Sequence, residues 1–369
     1  MSFKAYVIFF LLFGLVPDLY IGWVYSPGSA LFWKGMVCLP TLAALVSLVL
    51  IGLGKAYTES LRLFSYLVFL FELPKFVFML LSPLGMVGVA AGAAVSLFFS
   101  FLIFYSSRHL TLRCETLACE GLPASFDGLR ICQLTDLHLG SFGRKAGYVT
   151  RIVDNALAQK PDIILFTGDL VNFASAEALP YREQLARLRA PMGVFAIRGN
   201  HDYLLHGYFK DDEREKDMQR LVAIEESLGW RVLQDEHVFL QKDGERIALA
   251  GVGNISSNPY FTKLGGNLEK ALEGIPAGVF TILLSHDPSH WRAGVVPRGD
   301  IPLTLAGHTH GLQYKLAGPH PSHWRLHESA GLYREKGQQL YVSAGLGSAF
   351  AFRLGGFPTL DILTLKPIA

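Results

Sequence analysis

The sequence predicts an α/β domain with a largely parallel sheet, preceded by an all-α region of four membrane-spanning helices. The first observation is the uneven charge: residues 1–110 carry six basic and three acidic side chains, against 27 and 28 in the remainder. The second is that short apolar stretches alternate with segments of helical pattern from about residue 128, which is typical of parallel α/β sheets. An apolar region therefore precedes a domain of ordinary composition.

We expect three parts along the chain. Residues 1–110 form a transmembrane helical domain, residues 111–127 a linker, and residues 128–369 the α/β domain. Because the last part is nearly neutral and has no cluster of basic residues, we expect no nucleic-acid partner.

Four apolar segments in the first part each approach the ~20 residues that cross the hydrocarbon core of a bilayer. They are residues 5–25, 31–53, 62–82 and 84–106. A cleaved signal peptide is the alternative interpretation of the first segment, since Lys4 precedes it. The other three spans would still hold the chain in the membrane, so we expect the lipid bilayer as a partner.

Basic residues at the ends of the spans predict the orientation of the chain. If both ends of the helical region are cytoplasmic, that side holds five basic residues, namely Lys4, Lys55, Arg62, Arg108 and Arg113. The opposite side holds only Lys34. We therefore expect a multi-pass protein of the cell's inner (cytoplasmic) membrane, with the α/β domain in the cytoplasm.

Three ionisable residues, Asp18, Glu72 and Lys75, lie within the predicted spans. Ionisable groups inside a membrane mark a functional site by default. Glu72 and Lys75 are three residues apart, on one face of a helix. We interpret Glu72 and Lys75 as an ion pair that fixes helix packing, with Asp18 near an interface beside Pro17, and a proton path or a lipid-headgroup site is the alternative.

Five apolar stretches in the α/β part each run into a polar cluster. LRICQLT precedes Asp136, PDIILFT precedes Gly168-Asp169, MGVFAI precedes the GNHD of 199–202, FTILLS precedes His286, and IPLTLA precedes the GHTH of 307–310. The predicted helices between them include 145–160, 175–189 and 210–228. Open α/β sheets place their ligands at the carboxyl ends of strands, so we expect all five clusters at one sheet edge.

The pooled clusters offer two carboxylates, four imidazoles and one amide oxygen. The candidate metal ligands are Asp136, His138, Asp169, Asn200, His286, His308 and His310. Oxygen and nitrogen ligands without thiolate suit Mn, Fe or Zn. Seven ligands are too many for one tetrahedral ion, but they fit two divalent ions ~3.5–4 Å apart with one ligand shared.

Five short motifs in the α/β part resemble the signatures of the calcineurin-like metallophosphoesterases. They are TDLHLG (135–140), TGDLVN (167–172), GNHDY (199–203), LSHDP (284–288) and GHTHG (307–311). The likeness is greatest to the membrane-associated bacterial branch of that family, whose members end with a strand like Tyr341–Gly347, and it spans about 128–365. The resemblance implies a sandwich of β-sheets flanked by helices.

The resemblance also implies a role for each candidate ligand. Asp136, His138 and His310 would hold the first metal ion. Asn200, His286 and His308 would hold the second, and Asp169 would bridge the two.

Two further residues would be catalytic by the same resemblance. His201 would lie over the substrate phosphate, where it stabilises charge or protonates the leaving oxygen. Asn172 stands where some relatives carry Asp, which leaves open what orients His201, and Asp202 is the candidate.

We therefore expect a membrane-anchored hydrolase of a phosphodiester or pyrophosphate bond, acting through a metal-bridged hydroxide. A lipid-linked substrate such as UDP-2,3-diacylglucosamine, a compound of lipid A synthesis, is favoured because the spans keep the site near the bilayer. Four apolar residues after His201 could receive its acyl chains: Leu204, Leu205, Tyr208 and Phe209. A soluble substrate such as a cyclic nucleotide is one alternative, and a catalytically silent membrane scaffold is the other.

Overall fold

The computed structural model describes residues 3–143, 146–205, 210–258, 264–310, 328–348, 352–353 and 356–368. The chain divides into two compact units. Met1–Ser107 with Phe350–Arg353 form the helical unit, and Arg108–Ala349 with Leu354–Ala369 form the sheet unit.

The helical unit is built from apolar helices: α1 (Phe3–Leu19), α2 (Leu31–Gly52), α3 (Tyr57–Leu67), α4 (Leu73–Leu81) and α5 (Met86–Phe104). Within the described residues, four stretches with mean hydropathy between 1.8 and 2.3 are long enough to cross a membrane, at Val7–Tyr25, Leu31–Gly52, Tyr57–Leu84 and Met86–Arg108. Large apolar side chains on them are exposed, among them Leu31 (81%) and Phe32 (78%), as lipid-facing residues are. The prediction of four apolar spans is confirmed, although the third begins at Tyr57 rather than at residue 62.

Two of these spans contain π-helical turns, at Tyr20–Tyr25 and Val68–Glu72. Three prolines lie in the long helices, with Pro17 inside α1, Pro40 inside α2 and Pro74 at the start of α4. Proline has no N–H and a π-turn changes the bonding pattern, so both leave backbone carbonyls that need partners inside the protein.

Within the part of the chain that the structure describes, the sheet unit contains two six-stranded sheets. The first sheet has the order β1-β12-β2-β3-β4-β5, from β1 (Thr111–Cys119), β2 (Arg130–Leu134), β3 (Ile163–Phe166), β4 (Val194–Ala196), β5 (Arg231–Val232) and β12 (Thr359–Pro367). The second has the order β10-β11-β9-β8-β7-β6, from β6 (Glu236–Lys242), β7 (Glu245–Gly251), β8 (Thr281–Leu284), β9 (Leu303–Ala306), β10 (Gly331–Glu335) and β11 (Gln338–Val342). Strands β2 to β5 run parallel, and so do β7, β8, β9 and β11.

The strands that precede the polar clusters, namely β2, β3, β4, β8 and β9, bury both faces, as their continuous apolar runs require. In β3, Ile163 and Leu165 enter the core between the two sheets, whereas Ile164 and Phe166 enter the core beneath α6 (Gly147–Ala158) and α8 (Asp211–Ser227). A third core lies on the second sheet with α9 (Leu268–Leu272). The predicted sandwich of β-sheets flanked by helices is therefore confirmed.

The segment predicted to be a linker, 111–127, contains a strand instead. Strand β1 pairs in parallel with β12 along its whole length, and Leu117 and Cys119 are fully buried. Much of β1 before Leu117 is exposed, with Cys114, Glu115 and Thr116 on the surface, so its sequence lacks the apolar run that marks the other strands. Its partner also lies about 250 residues further along the chain, beyond the reach of local patterns.

The helix predicted over 175–189 is broken into short turns. Only Arg182–Leu185, which we call α7, is α-helical there, and 3₁₀ turns precede it at Ser175–Glu177 and Leu179–Tyr181. Pro180 explains the break, because proline cannot donate the backbone hydrogen bond that a continuing helix needs.

Candidate metal centre

Five strand ends supply the candidate ligands. Strands β2, β3 and β4 of the first sheet end just before Asp136, Asp169 and Asn200, and strands β8 and β9 of the second end just before His286 and His308. Since the strands are parallel within each sheet, their carboxyl ends lie at one edge. The structure therefore brings all seven predicted ligands together at this edge, in two groups that meet at Asp169.

Backbone strain concentrates at these positions. Eleven non-glycine residues among those described have positive φ, and five of them are candidate ligands. These five are Asp136, His138, Asp169, His308 and His310. Such conformations cost of order 1–3 kcal/mol each and persist where the surrounding structure enforces them, most often at functional sites.

The first group of ligands is Asp136, His138 and His310. The Nε2 atoms of His138 and His310 are 3.2 Å apart. Asp136 Oδ1 lies 3.9 Å from the first of these nitrogens and 3.6 Å from the second. Asp136 Oδ2 accepts a hydrogen bond from Thr135 Oγ1 at 2.8 Å, which fixes the carboxylate with Oδ1 toward the imidazoles.

The second group joins Asn200, His286 and His308. Asn200 Oδ1 is 3.2 Å from His286 Nε2 and 2.7 Å from His308 Nδ1. His286 Nδ1 lies 2.7 Å from the carbonyl oxygen of Thr167. A carbonyl only accepts, so Nδ1 carries a proton and Nε2 is the nitrogen that faces the group and would bind a metal ion.

Asp169 stands between the two groups. Its Oδ2 is 3.6 Å from His138 Nε2 and 3.2 Å from His286 Nε2. Its Oδ1 accepts a hydrogen bond from the backbone N–H of His201 at 2.8 Å. One oxygen thus anchors the side chain while the other faces both groups, as a shared ligand must.

The electrostatics of this position favour a cation. Burial acts to raise the pKa of Asp169, but the His286 imidazole, with His201 and His138, lowers it well below its usual value. Conversely, the Asp169 carboxylate outweighs burial and raises the pKa of His286 to about 10. The carboxylate is therefore ionised, and its negative potential attracts positive charge.

The donor set and its spacing fit metal ions. Two ligand atoms that are each about 2.1 Å from one ion lie roughly 3.0–3.4 Å apart. Three pairs have this separation at 3.2 Å, namely His138–His310, Asp169–His286 and His286–Asn200. Among the described residues, three groups of possible ligands have their ligand atoms within 4.8 Å of one another, and one of them, His138 with Asp169 and His201, also includes the predicted catalytic histidine.

His201 is held by the backbone of Asn172. Its Nδ1 lies 2.9 Å from the carbonyl oxygen of Asn172, so Nδ1 donates and Nε2 keeps its lone pair. Its ring meets that of His138 edge to face, with centroids 4.7 Å apart. The structure therefore places His201 beside both groups with its orientation fixed.

The orienting role predicted for Asp202 needs correction. Its two carboxylate oxygens accept hydrogen bonds from four backbone N–H groups, those of Asp169, Leu170, Val171 and Gly199, at 2.7–3.3 Å. Asp202 thus joins the loop after β3 to the loop after β4. It is a positioning residue for Asp169, and the contact that orients His201 comes from the Asn172 carbonyl.

Sequence reasoning missed Asp287, although it lies in the quoted LSHDP motif. Asp287 Oδ2 is 3.5 Å from His308 Nε2, on the opposite side of the ring from Asn200. Burial acts to raise the pKa of Asp287, but His308 and the hydroxyls of Ser256 and Ser289 lower it, so the carboxylate is ionised. A carboxylate behind a ligand histidine is a common orienting partner, and its position directly after His286 was the available signal.

We expect Asp287→Asn to weaken metal binding by about 10- to 100-fold, the usual cost of losing such a partner. The activity measured against Mn²⁺ concentration should shift to higher concentration while its plateau changes less. Asp300→Asn, at an exposed carboxylate paired with Arg298, is the matched control. An unchanged midpoint in Asp287→Asn would show that His308 needs no orienting carboxylate.

Gly199 has no Cβ, and the Asp169 carboxylate occupies the space that a Cβ would fill. A Cβ at Gly199 would overlap Asp169 Oδ1 and lie 2.6 Å from the Asp169 backbone nitrogen and 2.7 Å from His286 Cε1. We expect Gly199→Ala to displace the carboxylate, to cost ~1–3 kcal/mol of unfolding free energy through overpacking, and to lower bound metal. Thermal unfolding and metal content of the purified protein measure both effects.

Gly147→Ala is the control for this substitution, because an added Cβ there meets no atom within 4 Å. If Gly199→Ala binds metal as the wild type does, the close approach at this glycine does not govern the position of Asp169.

Comparison with known proteins gives a consistent result. The family model described as calcineurin-like phosphoesterase matches residues 129–312. A transmembrane protein with metallophosphoesterase domain from Bos taurus is 34% identical over 201 residues, which cover 52% of this chain and 42% of that protein. The chain thus matches less than half the length of that relative.

Two bacterial relatives match over most of their length. The uncharacterized metallophosphoesterase YkuE of Bacillus subtilis is 29% identical over 280 residues, 71% of this chain and 88% of its own. The UDP-2,3-diacylglucosamine pyrophosphatase LpxG of Chlamydia trachomatis is 26% identical over 332 residues, 75% of this chain and 97% of its own.

Proposed function

Residues 129–312 of this chain belong to the calcineurin-like phosphoesterase family, and we propose that the chain is a membrane-anchored, metal-dependent hydrolase of phosphodiester or pyrophosphate bonds. The observation that carries this proposal is the position of Asp169, whose Oδ2 lies within 3.6 Å of an imidazole nitrogen of each ligand group. The similar proteins include a transmembrane protein with metallophosphoesterase domain and a UDP-2,3-diacylglucosamine pyrophosphatase, which supports the membrane anchor and the lipid-linked substrate.

The proposed centre takes two divalent ions, Mn, Fe or Zn, from the donor types present. Asp136, His138 and His310 would hold one ion, Asn200, His286 and His308 the other, with Asp169 shared. When bound, such a pair of ions activates water and neutralises charge on a phosphoryl group.

The protein's own groups prepare the proton transfer. Because Nδ1 of His201 donates to the Asn172 carbonyl, only Nε2 is available to hold a proton beside the ligand groups. An imidazole nitrogen in this position is suited to protonate a departing oxygen. Asp202 supports this arrangement indirectly, since its bonds to the two loops hold Asp169, and Asp169 in turn holds the His201 backbone.

We propose that the substrate is lipid-linked, with UDP-2,3-diacylglucosamine as the leading example. Four membrane-length helices in the same chain and the chlamydial pyrophosphatase, matched over 97% of its length, support it. Not all of the residues after His201 that were predicted to contact acyl chains can do so. Leu204 is 1% exposed within the core and cannot receive an acyl chain, while Tyr208 and Phe209 lie outside the described residues.

We also propose that the protein is a multi-pass protein of the inner membrane with the sheet unit in the cytoplasm. The excess of basic residues on one side of the four helices supports this orientation. A nucleotide-linked substrate would be accessible there.

The test is a substrate panel on the detergent-purified full chain with Mn²⁺. It compares UDP-2,3-diacylglucosamine, its deacylated form, a cyclic nucleotide and a chromogenic phosphodiester. We expect the highest kcat/KM for the diacyl substrate and loss of all activity in Asp169→Ala. A preference for the cyclic nucleotide would instead favour a soluble substrate, and inactivity on every compound would favour the silent scaffold.

A further inference from the structure

A buried polar cluster lies inside the helical unit and consists of Asp18, Thr41, Glu72 and Lys75. Lys75 Nζ is 2.6 Å from Asp18 Oδ1, 2.9 Å from Glu72 Oε2 and 2.8 Å from Thr41 Oγ1. Thr41 Oγ1 also donates to Glu72 Oε2 at 3.0 Å. The pairing of Glu72 with Lys75 expected from the sequence is therefore confirmed, and Asp18 joins it through Lys75. We call this set the intramembrane cluster.

The charges of the intramembrane cluster do not balance if every group is ionised. It contains two carboxyl groups and one ammonium group, and Asp18 and Glu72 are both 0% exposed. The charged groups that act on Glu72 are Lys75 of its own span and Asp18 of α1, and the Cys38 thiol of α2 lies near Asp18. One negative charge would remain in an apolar region, where an uncompensated charge is very costly.

Each carboxyl group also has an oxygen with no hydrogen-bond partner among the described residues. These atoms are Asp18 Oδ2 and Glu72 Oε1, and both are buried. A buried carboxylate oxygen without a donor costs free energy. A proton on one carboxyl group removes the surplus charge and converts an unpaired acceptor into a donor.

The interruptions of the helices gather at the same place. Pro17, Pro40 and Pro74 directly precede Asp18, Thr41 and Lys75 along the chain, and the π-turn Val68–Glu72 ends at a cluster residue. The Val37 carbonyl, one turn before Thr41, accepts a bond from Lys75 Nζ at 3.3 Å. π-Turns inside helices are frequent at functional sites and proline removes a backbone donor from a helix, whereas a simple packing contact needs neither.

We propose that the intramembrane cluster is a proton-binding site, in which the carboxyl groups of Asp18 and Glu72 together hold one proton at neutral pH. The site then carries one carboxylate, one neutral carboxyl group and one ammonium group, so its net charge is zero. A proton fits this buried set because it needs no cavity. The proposal is independent of the activity of the sheet unit.

Infrared spectroscopy of the full chain in lipid nanodiscs tests the site directly. A neutral carboxyl group gives a C=O stretching band that shifts when the protein is transferred from H₂O to D₂O. We expect such a band in the wild type at neutral pH and its loss in both Asp18→Asn and Glu72→Gln. Each of these variants leaves one carboxylate and the Lys75 ammonium group, so the cluster is neutral without a bound proton.

Two controls isolate the band. Glu59→Gln changes an exposed carboxyl group of the same unit and should leave the spectrum unchanged. Glu225→Gln removes the Glu225 band of the sheet unit, where burial raises the pKa of the carboxyl group well above its usual value. A wild-type spectrum that matches Asp18→Asn and Glu72→Gln throughout the carboxyl region overturns the proposal.

Thermal unfolding supplies a second measurement that does not depend on one band. Raising the pH removes the bound proton and restores the surplus charge, so the Tm of the wild type should fall toward alkaline pH. Asp18→Asn and Glu72→Gln should lack that part of the fall. If both variants instead lose Tm equally at every pH, the cluster acts only as an ion pair between helices, and the proton site is rejected.

Discussion

Asp169→Ala is expected to lower hydrolysis by at least about 10²-fold, the upper end of the loss seen when an outer partner of a metal site is removed. The effect should exceed that value because Asp169 lies 3.6 Å from His138 Nε2 and 3.2 Å from His286 Nε2, so its loss affects both ligand groups. Steady-state rates with Mn²⁺ and the metal content per chain measure the two consequences. We expect both ions to bind more weakly.

Two further variants complete this experiment. Asp169→Asn keeps the shape and one acceptor oxygen but removes the charge, so an equal loss there assigns the effect to the charge of the shared ligand. Asp154→Ala removes a half-exposed carboxylate paired with Arg187 and should leave rates and metal content unchanged. Wild-type activity and metal content in Asp169→Ala would contradict the two-ion centre.

The convergence of the ligands could be predicted because it follows from local patterns. Each of these five apolar runs is buried on both faces, its end is marked by polar residues, in three cases with a glycine, and parallel pairing brings such ends to one edge. Asp136 after β2 and His308 after β9 are examples, since they lie in different sheets yet His308 N–H reaches Asp136 Oδ2 at 3.1 Å. The packing of one sheet on the other, which a single strand does not encode, completes the site.

What could not be predicted depends on long-range pairing and on the direction of individual side chains. Strand β1 is half exposed and takes its register from β12 at the other end of the chain, so its own residues resemble a linker. Asp202 lies beside His201 in the sequence, but its carboxylate turns toward the backbone amides of the loop after β3. The direction in which a carboxylate points depends on the fold around it, and the spacing of motifs does not contain it.

In the membrane region, too, the contact between residues close in sequence could be predicted and the contact between distant residues could not. The pairing of Glu72 with Lys75 follows from their separation of three residues on a helix and could be predicted. The contact of Lys75 with Asp18 joins residues that are 57 positions apart and depends on how α1 packs on α4. The surplus of one carboxyl group became apparent only when all three side chains were placed together.

His201→Ala is expected to lower kcat by about 10²–10⁴-fold, the usual contribution of a positioned proton donor. The loss should be large for a substrate with an alkoxide leaving group and much smaller for a p-nitrophenyl ester, whose leaving oxygen needs no proton. His237→Ala is the matched control, because His237 Nδ1 also contacts a backbone carbonyl, that of Ala271 at 3.0 Å, and His237 is not a candidate ligand.

The metal content of His201→Ala decides between two roles that the geometry allows. His201 lies close enough to His138 and Asp169 to be a metal ligand, yet the contact of its Nδ1 with Asn172 fits a proton donor that turns Nε2 toward the substrate. A donor leaves the metal content unchanged and makes the loss depend on the leaving group. If metal is lost and both substrates slow equally, His201 is a ligand, and the proton must come from another group.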